Sequence, residues 1–239
     1  EGPFFADLFE AHDVREVIDV GAGSGKHAIM FARWGKRVVA ADPDESMLAQ
    51  ARANLGEAED DIAASGGDLK IVEAGFGHLA LHDLGPVDAI TCTGNALPHV
   101  AGHDGLAAAL RDFHAVLRPG GVVVLHLLNH QRLLDNRVRS IPPVVRVAED
   151  GTMTVFLRVI DYPEGGEYID FDFLTLTRPP GGAWQTASRR SAHTALPIAT
   201  LTTALQQAGF GDVRAYGSHD GTPLEIDADE SVVVTAERL

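Results

Sequence analysis

From Arg15 onward, short runs of β-branched and other apolar residues alternate with longer stretches of helical periodicity. That alternation predicts successive βαβ units around a parallel sheet. The strand-like runs fall at 16–20, 37–41, 69–73, 87–93 and 121–128. Helical stretches occupy 26–34, 45–55 and 104–117, the first stopped by Gly35 and the third by Pro119-Gly120-Gly121. Strands connected in this way build a doubly wound, Rossmann-like α/β sheet, which binds ligands beyond the carboxyl ends of its strands.

The period then changes to two. Residues 144–147, 153–161, 168–177 and 184–193 alternate apolar and polar positions and are separated by EDG, PEGG and RPPGG, which predicts an inserted antiparallel β-meander. Helical text returns at 198–208, followed by strands at 212–216 and 231–235 that bring the sheet to seven strands as an antiparallel hairpin. The chain shows no internal repeat, low-complexity tract or linker, and its Pro-Pro pairs at 142–143 and 179–180 punctuate strands. It therefore reads as a single domain over 1–239, with 142–193 inserted as a cap over the strand ends or as a dimerisation element.

Between the first strand and first helix lies Asp19-Val20-Gly21-Ala22-Gly23-Ser24-Gly25. Glycines there let the backbone turn sharply and approach a ligand without a Cβ in the way. A dinucleotide fingerprint needs its third glycine where this chain has Lys26, and a phosphate-binding P-loop needs Gly at Val20 and Ser or Thr at His27. Both spacings fail. Asp42 ends the second strand, where a carboxylate can accept from both hydroxyls of a ribose. The competing role, capping the next helix, is one that Asp44 can also fill.

Together these residues resemble the class I S-adenosylmethionine-dependent methyltransferases over roughly 15–136. The resemblance implies that Gly21, Ala22, Gly23 and Gly25 lie against the methionine portion of S-adenosylmethionine and that Asp19 orders the turn or the amino group. It also implies that Asp42, with Pro43 and Met47, holds the ribose side. Glu73-Ala74-Gly75-Phe76 follows the third strand, with Gly75 where many members place an acid beside the adenine; Ala74, Gly75 and Phe76 are the expected adenine contacts. After the fourth strand, Thr93, Gly94 and Asn95 open a polar loop facing cofactor and acceptor. The loop GNALPH and the later RPGGVVVLHLLNHQRLL resemble the glycine N-methyltransferase-like branch, which implies a small-molecule acceptor, an amine before a hydroxyl. Leu128 stands where glycine methylators place a carboxylate-gripping arginine, so glycine itself is disfavoured.

Methyl transfer from a sulfonium is an in-line displacement governed by positioning and water exclusion. An acceptor that arrives protonated needs a base, and strand order makes His99 and His130 the candidates, each weighed against an ordinary surface or core histidine. Asn95, His99, Asn129, Arg158 and Tyr162 are the candidate substrate-binding residues, with Tyr168 and Arg189 as further groups the meander brings.

Charge narrows the partners. Among 239 residues, 34 acids outnumber 19 Lys and Arg for a formal net charge of −15, a field that repels phosphate backbones and anionic membranes. No nucleic-acid or membrane partner is expected. A lone cysteine, Cys92, and an opening EGPFFADLFEAHD unlike a secretory signal point to the cytoplasm. Alternating strands also suit a dimer surface, so a homodimer is a further expectation. Histidines four apart, at 78 and 82, 99 and 103, and 126 and 130, ligate metal only on a helix, and no metal is expected. The alternative to an enzyme is a regulatory protein that binds S-adenosylmethionine without catalysis.

Overall fold

The computed structural model describes residues 1–82 and 84–239. Five strands run parallel: β1 (Glu16–Val20), β2 (Arg37–Asp42), β3 (Asp68–Glu73), β4 (Val87–Cys92) and β5 (Leu117–Leu128). Helices α1 (Gly2–Ala11), α2 (Lys26–Arg33) and α3 (Glu45–Ser65) precede β3, and α4 (Gly102–Val116) leads into β5. Then follow α5 (His130–Asp135), an antiparallel sheet of β6 (Ser140–Val147), β7 (Met153–Asp161), β8 (Tyr168–Arg178) and β9 (Gln185–Thr194), and finally α6 (Ile198–Gln207), β10 (Phe210–Tyr216) and β11 (Ser231–Arg238). The main sheet has seven strands in the order β10-β11-β5-β4-β1-β2-β3, with β11 antiparallel to both its neighbours. Strand order reverses between β1 and β4, and the carboxyl end of that junction is the fold's natural crevice.

The expected architecture is present: a doubly wound seven-stranded sheet with a separate four-stranded meander, order β6-β7-β8-β9. Two helix ends differ for physical reasons, and two short helices were not expected. α3 runs ten residues beyond 55, because Gly56 sits in ordinary helical backbone with nothing within 4 Å of its Cβ position, and only Gly66 at φ 75° ends the helix. Pro119-Gly120-Gly121 does not stop a helix; α4 ends at Val116, Leu117 already pairs with Val87, and the segment forms an irregularity before Val122 pairs with Ala89. α1 lacks an acidic first turn and α5 is six residues long, so neither announces itself by periodicity.

Apolar residues cover both faces of the main sheet. One layer holds Phe5, Phe9 and Phe31 against Val17, Val38, Val122 and Val124; the other holds Leu106, Leu110, Phe113 and Leu205 against Ile18, Ile90 and Val123. The successive strand residues point to opposite faces, as a pleated strand requires. A third cluster, Leu133, Ile160, Ile169, Phe171 and Ala195 with Leu128 and Tyr162 beside it, joins the meander to α5. Among the described residues no helix is long and apolar enough to cross a membrane.

Asp112, buried on α4, accepts from the amides of Leu79 (2.8 Å) and Ala80 (3.0 Å) and fixes the 3-10 turn Leu79–His82 beyond β3. Asp112→Ala removes both acceptors and should lower the unfolding free energy by about 2–4 kcal/mol. Urea unfolding followed by circular dichroism measures the loss, and a change within error would show that these amides find other partners.

Candidate functional site

β1 is buried from Val17 to Val20 and delivers the chain to Gly21, Gly23 and Gly25 at φ 68°, 55° and 78°. These are left-handed conformations that a Cβ disfavours. The amides of Gly21 and Ala22 donate to the Ala41 carbonyl at 2.8 and 3.1 Å, stitching the turn to the end of β2. A Cβ on Gly21 would stand 2.5 Å from that of Ala96, and one on Gly25 would stand 3.3 Å from that of Ala51. Above Gly23 nothing lies within 4 Å. Two of the three glycines thus serve packing of the protein on itself, and Gly23 is the one that leaves room for a ligand.

Two buried acids flank the turn. Asp42 accepts from the Gly23 amide at 2.8 Å through Oδ2 and from the Asp44 amide at 2.9 Å through Oδ1. The helix cap is Asp44, which accepts from Ser46 and from the half-exposed Met47, so Asp42 is not consumed by capping. Asp19 accepts from the Thr91 hydroxyl at 2.7 Å through Oδ1 and feels the Ala28 amide of α2, while its buried Oδ2 makes no close hydrogen bond among the described residues. Burial pushes the Asp19 carboxyl up to about 6 against the lowering effect of Thr91. An orphaned, buried carboxylate oxygen four residues before an open glycine fits the ammonium end of an amino-acid-like ligand.

Beyond β2 and β3 a cavity of about 540 Å³ is lined by Pro43, Glu73, Ala74, Gly75, Phe76, His78, Leu81 and His82. Four of the expected cofactor contacts therefore share one wall. Phe76 packs on Phe113 at 6.2 Å between ring centres and brings its ring edge near Gly21. His78 and His82, read in the sequence only as a pair four apart, and Leu81 were not expected in this cavity, because the turn that carries them is set by Asp112 rather than by any local pattern.

The loop after β4 closes the other side. Thr93 Oγ1 lies 3.0 Å from His27 Nδ1, and His27 Nε2 lies 3.2 Å from Glu1 Oε2. Gly94 and Asn95 both take positive φ, 66° and 65°. Asn95 donates its backbone amide to His126 and accepts through Oδ1 from the Leu128 amide at 2.9 Å, which ties the loop to β5. Its Nδ2 faces His193 Nδ1 at 3.3 Å. His99 follows on a 3-10 turn with its side chain exposed; burial of part of the ring and the Arg189 guanidinium hold its pKa below the usual histidine range.

Other expected residues are placed elsewhere. His130 is 1% exposed, its Nδ1 accepts from the Leu196 amide at 3.0 Å, and burial pushes its pKa down to about 4; it is a core histidine, not an accessible base. Asn129 caps α5 by accepting from Arg132 and donates to the carbonyls of Ile226 and Asp229, so its amide is spent on structure. The Tyr162 hydroxyl sits 2.7 and 2.6 Å from the carbonyls of Leu133 and Val138, anchoring the meander to α5. Arg158 lines a separate surface hollow on the meander with Arg146, Phe156 and Leu174. Tyr168 packs against the start of α4, its hydroxyl 3.1 Å from where a Gly102 Cβ would be. Arg189 is the meander cation that acts on His99, His193 and Asp44 together. Sequence reading missed His193 as a functional candidate, although strand alternation places it on one face of β9 with Arg189 and Ser191. His126 and His219 stack edge to face at 4.7 Å, and among the described residues no group of three or more His, Cys, Asp or Glu is placed to hold a metal ion.

Residues 17–121 match a family described as "Methyltransferase domain". The span contains β1 to β4, the glycine turn, both acids and the loop after β4. Residues 17–121 are a class I, S-adenosylmethionine-dependent methyltransferase domain. Over 135 residues, 56% of this chain, the protein is 34% identical to a glycine/sarcosine N-methyltransferase of Parasynechococcus marenigrum (strain WH8102), 45% of whose length is covered. The match thus spans about half the length of the curated relatives. A crystal structure of an S-adenosylmethionine-dependent methyltransferase from Clostridium acetobutylicum ATCC 824 superposes with a TM-score of 0.79 at 12% identity, covering 99% of this chain and 90% of that one. The sugar N-methyltransferase KedS8 from Streptoalloteichus sp ATCC 53650 superposes with a TM-score of 0.73 at 19% identity, covering 100% and 87%. Both likenesses extend through the meander and establish the fold of the whole chain.

Buried histidines make the methyltransferase fold sensitive to acid. Burial holds His130 at about 4, and burial with the neighbouring rings of His99 and His130 holds His193 at about 3, both below the value in an unfolded chain. The unfolded state therefore binds protons that the native state refuses, and stability present above about pH 6.5 is lost as pH falls toward about 4. Asp19 opposes this between about 6 and 4, where the native state holds the extra proton. His130→Asn keeps an acceptor for the Leu196 amide and removes one titration. Its unfolding free energy from urea titrations should fall less steeply between pH 6 and 4.5, by up to about 1.4 kcal/mol per pH unit; an unchanged slope would place the His130 pKa near normal.

Proposed function

We propose that this methyltransferase moves the methyl group of S-adenosylmethionine to the amine nitrogen of a small molecule. The observation that carries the cofactor side is the combination at β1: an open Gly23 with an unpartnered, buried Asp19 Oδ2 a few residues before it. When bound, S-adenosylmethionine supplies a methyl group on a sulfonium, open to in-line displacement. Gly23 and Asp19 would hold its amino-acid end, and Asp42, with lone pairs left after its two backbone contacts, would hold the ribose. The cavity from Pro43 to His82 has the size and the apolar wall for a nucleobase, with Phe76 rather than an acid beside it.

The acceptor side rests on the loop after β4 and the strand that lies on it. β9 is fastened there by Thr194, whose hydroxyl accepts from the Gly102 amide at 3.0 Å and donates to the Val100 carbonyl at 2.6 Å. We read the meander as a cap that excludes water from the transfer. Nδ1 of His99 faces Ser191 Oγ at 3.5 Å, which leaves Nε2 to take up a proton from an ammonium acceptor. A ring held below its usual pKa is unprotonated at neutral pH and ready for that role. An amine is favoured over a hydroxyl because the matched relative is a glycine/sarcosine N-methyltransferase and the superposed KedS8 a sugar N-methyltransferase. Glycine itself is disfavoured, since Leu128 packs toward the Leu133 and Ile160 cluster and offers no charge to a carboxylate.

Two experiments test the two halves. Gly23→Ala meets no protein atom and costs about 1 kcal/mol for its left-handed backbone. It should fold yet bind S-adenosylmethionine at least tenfold more weakly by calorimetry, while Gly56→Ala, in open helical backbone, should bind normally. Equal affinity in Gly23→Ala would remove the ligand from that turn. For the acceptor, methyl-labelled S-adenosylmethionine incubated with a panel of amino acids, amino sugars and their hydroxyl analogues should label amines when read by mass spectrometry. Label confined to hydroxyl compounds would overturn the nitrogen assignment, and binding with no transfer to any fraction of a metabolite extract would favour a non-catalytic role.

A further inference from the structure

β9 turns alternate residues onto one histidine. Arg189, Ser191 and His193 share a face of the strand, and all three bear on His99: Arg189 by its charge, Ser191 with Oγ 3.5 Å from Nδ1, and His193 by ring contact at 4.3 Å between centres and 63° between planes. His193 is 1% exposed and also lies against Phe171 at 4.5 Å.

The proton on His193 can be located. Asn95 Oδ1 accepts from the Leu128 amide, so the group turned toward His193 is the amide nitrogen, a donor. Nδ1 of His193 must then accept, and its proton resides on Nε2, which is buried with no partner among the described residues. Burial, then the neighbouring His99, His130 and Arg189, keeps the ring neutral. An unpaired buried N–H costs stability, and a phenylalanine would fill the space beside Phe171 without it. What a phenylalanine lacks is the acceptor that holds Asn95, a residue kept at φ 65° four positions before His99.

We propose that His193 is a positioning residue for His99: by accepting from Asn95 and resting its ring on His99, it makes the seating of β9 set where His99 stands at the acceptor mouth. The inference rests on the reading of His99 as the group that faces the acceptor. It implies that the loop after β4, the end of β5 and β9 form one locked unit, so that the acceptor site is complete only when the meander is seated.

The test uses the full chain and two variants. His193→Phe keeps the packing and removes the acceptor; His193→Asn restores an acceptor near the place of Nδ1. His193→Phe should lose at least tenfold in turnover on the amine identified by labelling, with S-adenosylmethionine affinity within twofold, and His193→Asn should recover to within threefold of the parent. Full turnover in His193→Phe, or equal loss in both variants, overturns the proposal. Nitrogen-15 NMR of the histidine rings supplies a readout free of turnover: in the parent His193 should carry its proton on Nε2, and in Asn95→Asp, where the facing group becomes an acceptor, on Nδ1. A parent proton on Nδ1, or no change in Asn95→Asp, overturns the positioning role even where turnover cannot be read. If the parent methylates no acceptor while the ring protons behave as stated, the catalytic reading fails and the structural lock stands.

Discussion

The close approach of Gly21 to Ala96 governs the carboxyl edge of this sheet. A Cβ on Gly21 would stand 2.5 Å from that of Ala96, so the turn after β1 and the loop after β4 meet with no side chain between them. Everything at the edge follows from that proximity. The turn has to curl through three left-handed glycines to clear the loop, and Asp42 has to reach Gly23 to hold the curl. The loop has to double back through Gly94 and Asn95 at positive φ, which turns the Asn95 amide toward β5 and β9. Open space survives at Gly23 and in the cavity beside Phe76, the space the proposed function gives to the cofactor.

Electrostatically the site is unlike the chain that carries it. The formal charge of −15 comes from an excess of acids, while the mouth beside His99 holds His193 and the meander cation Arg189, with His130 deeper in the core. Burial and the Arg189 charge hold the exposed His99 ring below its usual pKa, while burial keeps His193 and His130 neutral inside the fold. Asp19 supplies the complement on the cofactor side: a carboxyl raised to about 6 by burial, with one oxygen unmet, is stabilised as an anion by any cation that docks beside it. The acid-stability and ring-proton measurements probe the same balance from opposite directions.

The fold was largely legible because its signals are local. β1 and β7 begin and end where periodicity puts them, since each has an unbroken apolar pattern and a turn on either side. The glycine turn and Asp42 were legible for the same reason: their chemistry is set by neighbours in sequence. The acceptor side was only partly so. Asn129 and His130 are expected contacts from the text after β5 and Tyr162 from the meander, yet each is turned to a backbone partner 24 to 100 residues away or within one helical turn, and no local pattern encodes that choice. His193 fails to announce itself for the converse reason. Its strand is polar and exposed along most of its length, and it becomes buried only because β9 descends onto the loop after β4.

That descent explains why an antiparallel meander can serve a parallel-sheet site. A doubly wound sheet offers its ligand the loops at one edge, which are held from below by strands and left free above. β9 holds the loop after β4 at two points that bracket His99, His193 on Asn95 before it and Thr194 on Val100 and Gly102 after it. A loop fixed from both sides loses less conformational freedom when an acceptor arrives, which favours an aligned displacement over a merely close one. The hydrophobic contact of Phe171 with His193 and the Tyr162 anchor on α5 then keep the meander from sliding along that loop. On the function proposed above, cofactor recognition falls to the parallel sheet alone, whereas the geometry of the acceptor is shared between two sheets that must assemble correctly on one another.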